Sequence, residues 1–222
     1  MDTKVFTEIK DIVYTQAGIT LNSKEALVSA RLAKRIRKLK LQDEGEYLEY
    51  LNNDKTGNEM IALLDAISTN FTSFYREPDH FGLLTDLMNQ WVSNGQKKFR
   101  IWCAASSSGE EPYTISITLN ELMEGKNLDI KVLATDISTE VLAKCKEGVY
   151  HEKSLLSIPS MYKHKYFKKM VEGGETFYKT ENSLRSLLKF ARLNLIETPY
   201  PMSGPLDIVF CRNVMIYFDQ HT

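Results

Sequence analysis

The stretch 101–113, IWCAASSSGEEPY, runs from apolar residues into small ones and then into two carboxylates and a proline. A short strand emptying into small residues, followed by a helix starting near Pro112, is the pattern of a ligand loop at the carboxyl end of a first parallel strand. Backbone N–H groups and the N-terminus of the next helix face the ligand there. Further on, 130–136, IKVLATD, predicts a second strand ending in an acid. A carboxylate at that position accepts both hydroxyls of a ribose. Gly109 stands alone in the loop, so the three-glycine dinucleotide fingerprint is absent and a pyrophosphate has little room. A nucleoside without phosphates suits the loop better.

Working outward, 189–193 and 206–211 predict third and fourth strands, followed directly by Asn194-Leu195 and Arg212-Asn213. Pro78 introduces a helix over 79–92 that leads into the strand at 99–104, and 138–147 predicts a helix stopped by Gly148. Between 150 and 188 the alternation breaks. A helix over 160–167 precedes Gly173-Gly174 between short patterned runs, which favours a hairpin and a small antiparallel insertion. Ahead of all this, helical apolar stripes cover 4–17, 22–39, 46–51 and 58–67. Gly18 suits the position just past the first helix. The second has Asn22 and Glu25 at capping-box spacing, with Val28, Leu32, Ile36 and Leu39 along one face. The expected fold class is therefore α/β: a helical unit over 1–70, a connecting segment over 71–92, and a parallel-sheet domain over 93–222 with an insertion at 150–188.

Composition agrees. With 222 residues and 43% apolar content the chain can bury ordinary cores. A net charge of -1, from 28 basic and 29 acidic residues, argues against wholesale coating of nucleic acid. Cys103, Cys145 and Cys211 form no close ligand pair and read as buried or ligand-side thiols in a reducing compartment. His80, His151, His164 and His221 are scattered, so neither a metal site nor an acid-base cluster is expected. No apolar run is long enough for a spanning helix or a secretory leader.

Taken in order, TNFTSFYRE at 69–77, AASSSGEEPY at 104–113, VLATD at 132–136, NLIE at 194–197 and FCRNVMIYFD at 210–219 resemble the chemotaxis receptor glutamate methyltransferase family. The resemblance covers essentially the whole chain, and its last string is specific. It implies an N-terminal helical receptor-docking domain and a Rossmann-like, S-adenosylmethionine-dependent methyltransferase domain with an inserted β-subdomain. The implied reaction moves a methyl group from S-adenosylmethionine to receptor glutamates, giving glutamyl methyl esters and S-adenosylhomocysteine for sensory adaptation, without a metal. A cytoplasmic protein recruited to membrane receptor arrays, neither inserted in the membrane nor bound to nucleic acid, is the matching location. Members of the family continue past the strand near Cys211, so the terminal strands are expected to be missing from a sequence ending at Thr222.

The resemblance also assigns roles. Asn70, Thr72, Arg76, Glu111, Asp136, Asn194, Leu195, Arg212 and Asn213 fall at cofactor positions, and Arg76 and Tyr217 at the reaction centre. Read without it, each has a plainer explanation. Arg76 is a helix-edge cation beside Glu77, Asn70 and Thr72 are caps or turns, and Glu110 and Glu111 complement a helix dipole. Asn194 and Arg212 then cap strand ends, and Tyr217 completes an apolar wall with Met215 and Phe218. A glutamate side chain, with a pKa of about 4.3, is already ionised at neutral pH, so its methylation needs in-line placement rather than a general base. Recognition of the substrate is expected elsewhere. Between Lys24 and Lys40 Glu25 is the only acid among many bases, and Arg31, Lys34, Arg35 and Lys38 cluster opposite the apolar face. That ridge suits the acidic helical region of a receptor; an ordinary solvated face, or RNA as a competing polyanion, are the alternatives. A non-catalytic cofactor-sensing module is the alternative to an enzyme.

Overall fold

A computed structural model describes residues 2–22 and 24–222. Helices α1 (Thr3–Ala17), α2 (Glu25–Leu39), α3 (Glu44–Asn53) and α4 (Asn58–Ile67) come first. Their apolar stripes converge on one core that includes Ile9, Val13, Val28, Leu32, Tyr47 and Leu63. The α1 helix is opened by Asp2, whose carboxylate accepts from the Lys4 N–H, and closed by Gly18 in the left-handed region. The start of α2 differs from the capping-box expectation: Lys24 stands at the cap position and makes no side-chain capping bond. Leu21, 2% exposed, is drawn into the core, and the Lys24 N–H closes a turn on its carbonyl at 3.1 Å, which leaves Asn22 short of the helix. The α3 helix begins at Glu44, ahead of the expected 46, because the Asp43 carboxylate accepts from the Glu46 N–H at 2.9 Å.

One carboxylate ties these helices together. Glu59, in the first turn of α4 and 3% exposed, takes both arms of the Arg35 guanidinium and the Tyr47 hydroxyl, the latter at 2.8 Å. Burial, with Glu59 next to it, holds that phenol protonated far above its ordinary range. This arrangement corrects the expected basic ridge. Arg35 is bound to Glu59, and Arg31 donates through Nη1 to the carbonyls of Ile67 and Ser68, because these α2 positions face α4 rather than solvent. Lys34 and Lys38 remain exposed.

The second half alternates strand and helix: α5 (Asp79–Ser93), β1 (Lys98–Cys103), α6 (Glu110–Met123), β2 (Asp129–Asp136) and α7 (Thr139–Glu147). Then follow β3 (Val149–His151), α8 (Ser160–Tyr166), β4 (Phe167–Glu172), β5 (Glu175–Thr180), α9 (Asn182–Arg185), β6 (Leu188–Arg192) and β7 (Ile208–Phe210). The larger sheet is parallel in the order β6-β2-β1-β7. Its central strands bury Phe99, Ile101, Val132 and Ala134 on one face under α5 and α6, while Lys98, Asp129 and Lys131 stay exposed. The outer strands are placed slightly differently from the sequence expectation. Arg192 ends β6 opposite Asp136, and the Leu193 N–H already turns to the Asp136 carbonyl at 3.0 Å. In the insertion, β4 and β5 form the hairpin over Gly173-Gly174, and β3 adds a third antiparallel strand. Among the described residues no helix is long and apolar enough to cross a membrane.

The helical unit sits on the carboxyl edge of the parallel sheet. Asn194 donates to the Gln16 carbonyl at 2.7 Å, Tyr14 to Asp219 at 2.8 Å, and Thr139 through both its N–H and its hydroxyl to Asp65 at 2.9 and 2.8 Å. At Gly18 a Cβ would lie 2.7 Å from the Ile196 side chain, so glycine serves the close approach as well as the positive φ. Replacing Glu59 by alanine strands Arg35 half-buried without its partner. The expected cost is about 3 kcal/mol, toward the lower end for a buried pair because the guanidinium keeps some solvent. Urea unfolding of the whole chain measures it, and Tyr47→Phe should cost only about 1 kcal/mol.

Candidate active site

Between the helical unit and the carboxyl edge of the sheet lies a cavity of about 1080 Å³, open solvent at its mouth included. Its floor is the loop after β1. The loop turns sharply at Gly109, where φ is 105° and a Cβ would stand 2.4 Å from the Tyr150 hydroxyl, so a side chain there is excluded twice over. Ser107, also at positive φ, donates its N–H to Asp136 Oδ2 at 2.8 Å, and the Ser138 N–H donates to Oδ1 at 3.0 Å. Each oxygen keeps a further lone pair. Burial raises the Asp136 pKa, against the lowering by those N–H donors.

The α6 helix begins at Glu110 rather than near Pro112, and the proline occupies its first turn, where a missing N–H costs no intrahelical bond. Glu110 accepts from the Ser108 hydroxyl at 2.6 Å and so braces the loop. Glu111 faces the other way. Its Oε1 accepts from the Cys103 thiol at 3.2 Å and its Oε2 from Arg212 Nη1 at 2.6 Å. Burial raises the Glu111 pKa even though Arg212 opposes the shift, and the same burial, with Glu111 beside it, keeps the Cys103 thiol protonated.

From β7, Arg212 reaches further: its Nη2 donates to the Arg76 carbonyl at 2.5 Å and to Glu77 Oε2 at 3.0 Å, and its guanidinium lies 5.4 Å from the centre of the Phe81 ring. Among the described residues, Arg212 Nε is the buried side-chain nitrogen or oxygen without a partner. Arg76 donates to the Phe71 carbonyl at 3.0 Å, and Asn213 to Glu77 Oε1 at 3.3 Å. Tyr217 has Lys24 Nζ 4.7 Å from its ring centre, and its carbonyl accepts the Thr20 N–H at 2.9 Å.

All ten expected site residues, Asn70, Thr72, Arg76, Glu111, Asp136, Asn194, Leu195, Arg212, Asn213 and Tyr217, line this one cavity. One carries a duty that the sequence did not reveal. The Asn194 amide hydrogens are donated to Gln16 and Glu197, so its side chain fastens α1 to the sheet domain. Arg76 lines the cavity and also has Nε 3.8 Å from Glu77, the neighbour with which its plainer reading pairs it. The sequence reading missed the opposite wall altogether: Ile19, Leu21, Lys24, Leu27 and Arg31 come from the helical unit. No local signal marks them, because apolar residues in and before a helix look like core, and Lys24 and Arg31 like a solvated face, in any helical bundle.

A family model described as CheR methyltransferase, all-alpha domain, matches residues 4–68, and one described as CheR methyltransferase, SAM binding domain, matches residues 70–222. The chain belongs to the CheR methyltransferase family. A chemotaxis protein methyltransferase of Escherichia coli is 39% identical over 98% of this chain and 75% of its own length. Chemotaxis protein methyltransferase 2 of Pseudomonas aeruginosa is 38% identical over 98% and 77%, and the chemotaxis protein methyltransferase of Borreliella burgdorferi 37% over 95% and 76%.

The cavity suits SAM, S-adenosylmethionine, on the chemistry of its own donors. Two buried carboxylates, Glu111 and Asp136, would repel phosphates but accept an ammonium group and ribose hydroxyls. Ile137, Leu193, Leu195 and Val214 offer apolar contact for a purine. Burial works against a charged Glu111, and Arg212 works for it. Arg212→Ala removes the cation that does so and should destabilise the protein by about 3 kcal/mol. In a cycle with Glu111→Gln, urea unfolding should show a coupling of about 2 kcal/mol, whereas simple additivity would mean that the pair does not act as a unit.

Proposed function

We propose that the chain transfers the methyl group of S-adenosylmethionine to glutamate side chains of chemotaxis receptors, leaving glutamyl methyl esters and S-adenosylhomocysteine, in the service of sensory adaptation. The observation that carries this reading is the convergence of ten residues from widely separated segments on one cavity at the carboxyl edge of a parallel sheet. The names of the relatives, chemotaxis protein methyltransferases, support the choice of substrate.

When bound, S-adenosylmethionine supplies an electrophilic methyl group on a sulfonium. In this reading Glu111 accepts from the ammonium end and Asp136 from the ribose hydroxyls. Arg212 holds Glu111 in its rotamer, and Leu195 covers the adenine face. Asn194 contributes mainly by fixing that segment against α1, since its N–H groups are engaged. Asn70, at the end of the helical unit, and Thr72 of the covering segment face the methionine end with uncharged groups. Arg76 and Tyr217 orient the incoming carboxylate. A carboxylate needs no base at neutral pH; the residues around it supply alignment and exclude water.

The division of labour follows. Residues 1–70 form a receptor-docking unit that also walls the cavity, 71–92 cover and connect, 93–222 carry the methyltransferase site, and 150–188 are inserted in it. Docking falls to Lys34 and Lys38, the members of the basic ridge that stay exposed, and their partner is an acidic helical region of the receptor. The protein then works in the cytoplasm at receptor arrays.

Incubation with methyl-labelled cofactor and receptor-bearing membranes should place alkali-labile label on receptor glutamates; label confined to RNA or to small metabolites would overturn the reading. Asp136→Ala should weaken S-adenosylhomocysteine binding by about 1.5 to 3 kcal/mol, roughly tenfold to a hundredfold, as read by calorimetric titration. The double variant Lys34→Glu/Lys38→Glu should raise the KM for receptor and flatten its dependence on salt while leaving cofactor affinity unchanged. An unaltered KM would place docking elsewhere.

A further inference from the structure

We propose that Glu77 is a positioning residue for methyl transfer: from outside the cavity it clamps Arg76 of the covering segment to the Arg212-Asn213 pair that follows β7. The inference rests on the functional reading above and adds to it a residue that never meets the reactants. Glu77 is not part of the cavity lining, yet it touches three residues that are. Its Oε2 accepts from Arg212 Nη2 at 3.0 Å, its Oε1 from Asn213 Nδ2 at 3.3 Å, and Arg76 Nε stands 3.8 Å from Oε1. His80 Nδ1 is 3.4 Å from Oε2 on the solvent side.

Two features make this more than a surface ion pair. Glu77 and Tyr75 flank Arg76 with φ of 54° and 52°, a left-handed conformation that bulky residues seldom adopt and that persists where surrounding contacts impose it. Moreover, Arg212 Nη2 bonds to the Arg76 carbonyl, which brings two guanidinium-bearing residues together, and the carboxylate between them offsets their repulsion. Apart from Glu77, Arg76 is held by Phe71, through its carbonyl and through its ring at 5.6 Å, on a residue that is 78% exposed. Arg212, then Asn213, holds the Glu77 carboxyl below its usual range, so the clamp stays charged throughout the working pH range.

Magnitudes separate the two roles such a residue can have. Its side chain is 45% exposed, and ion pairs that open to water contribute little to stability. Displacement of a group that orients the reacting carboxylate by about 1 Å, by contrast, costs up to about a hundredfold in rate. Removal of Glu77 should therefore be felt in turnover and not in folding.

The variant to use is Glu77→Gly, because glycine accepts the positive φ without strain and the chain keeps its path. Its kcat should fall by at least about tenfold, while S-adenosylhomocysteine affinity, receptor KM and the urea midpoint stay within about threefold equivalents of the unaltered protein. Glu77→Gln, which keeps an acceptor for Arg212, should recover to within about threefold in kcat. A kcat that is unchanged in Glu77→Gly, or cofactor affinity that falls in step with it, overturns the assignment. A second readout needs no turnover. The Arg76 Nε–Hε resonance, identified by its absence in Arg76→Lys, should be resolved in the unaltered protein and merge with the solvent-averaged arginines in Glu77→Gly; its persistence there overturns the clamp. Failure of the unaltered protein to methylate receptor would sink the functional reading while leaving this result to decide the role of Glu77.

Discussion

Arg212 is the point on which the site depends. Its guanidinium is 10% exposed and donates to the Glu111 and Glu77 carboxylates and to the Arg76 carbonyl. Those bonds join the exit of β7, the first turn of α6 and the covering segment, which are far apart in sequence. The joint also settles an electrostatic difficulty. A carboxylate buried as deeply as Glu111 tends to take up a proton, and a close cation opposes that tendency. The ion pair is thus less a source of stability than the means of keeping a charged acceptor in a dry place.

Asp136 meets the same difficulty by other means. Among the described residues no cation is bonded to it; the Ser107 and Ser138 N–H groups do the work, and both are delivered by backbone geometry after β1 and β2. Ser107 reaches its position only at positive φ, and Gly109 closes the loop where a Cβ would strike Tyr150. Tyr150 leads into the inserted sheet, so the floor of the cavity is shaped partly from there. Cys145, whose thiol is pushed up to about 12 by burial, packs beneath the same loop and donates to the Ser107 carbonyl at 3.1 Å.

The helical unit has two charged clusters with different uses. Arg35, Tyr47 and Glu59 form an internal network that fixes α2, α3 and α4 relative to one another. Arg31 is fastened to the end of α4 and lines the cavity, which sets the angle at which α2 presents Lys34 and Lys38 to solvent. One helix, α2, thus both walls the cavity and carries exposed lysines.

Much of this was legible in local chemistry. Strand ends followed by small residues, an acid closing β2, the Gly173-Gly174 hairpin and the helical stripes are near-neighbour signals, and the strings around Arg76, Glu111, Asp136, Asn194 and Arg212 carried the family resemblance. What the sequence by itself determined is the order of elements and the residue types brought to the sheet edge, because periodicity and turn chemistry act over a few residues. Which partner each side chain takes was left to the tertiary structure: Arg31 and Arg35 turned inward to α4, Asn194 was engaged by the end of α1, and Ile19, Leu21, Lys24 and Leu27 became a cavity wall. A hydrogen bond between residues as distant as Gln16 and Asn194 exists only once two domains have packed, and an unpaired sequence has no local property that records it.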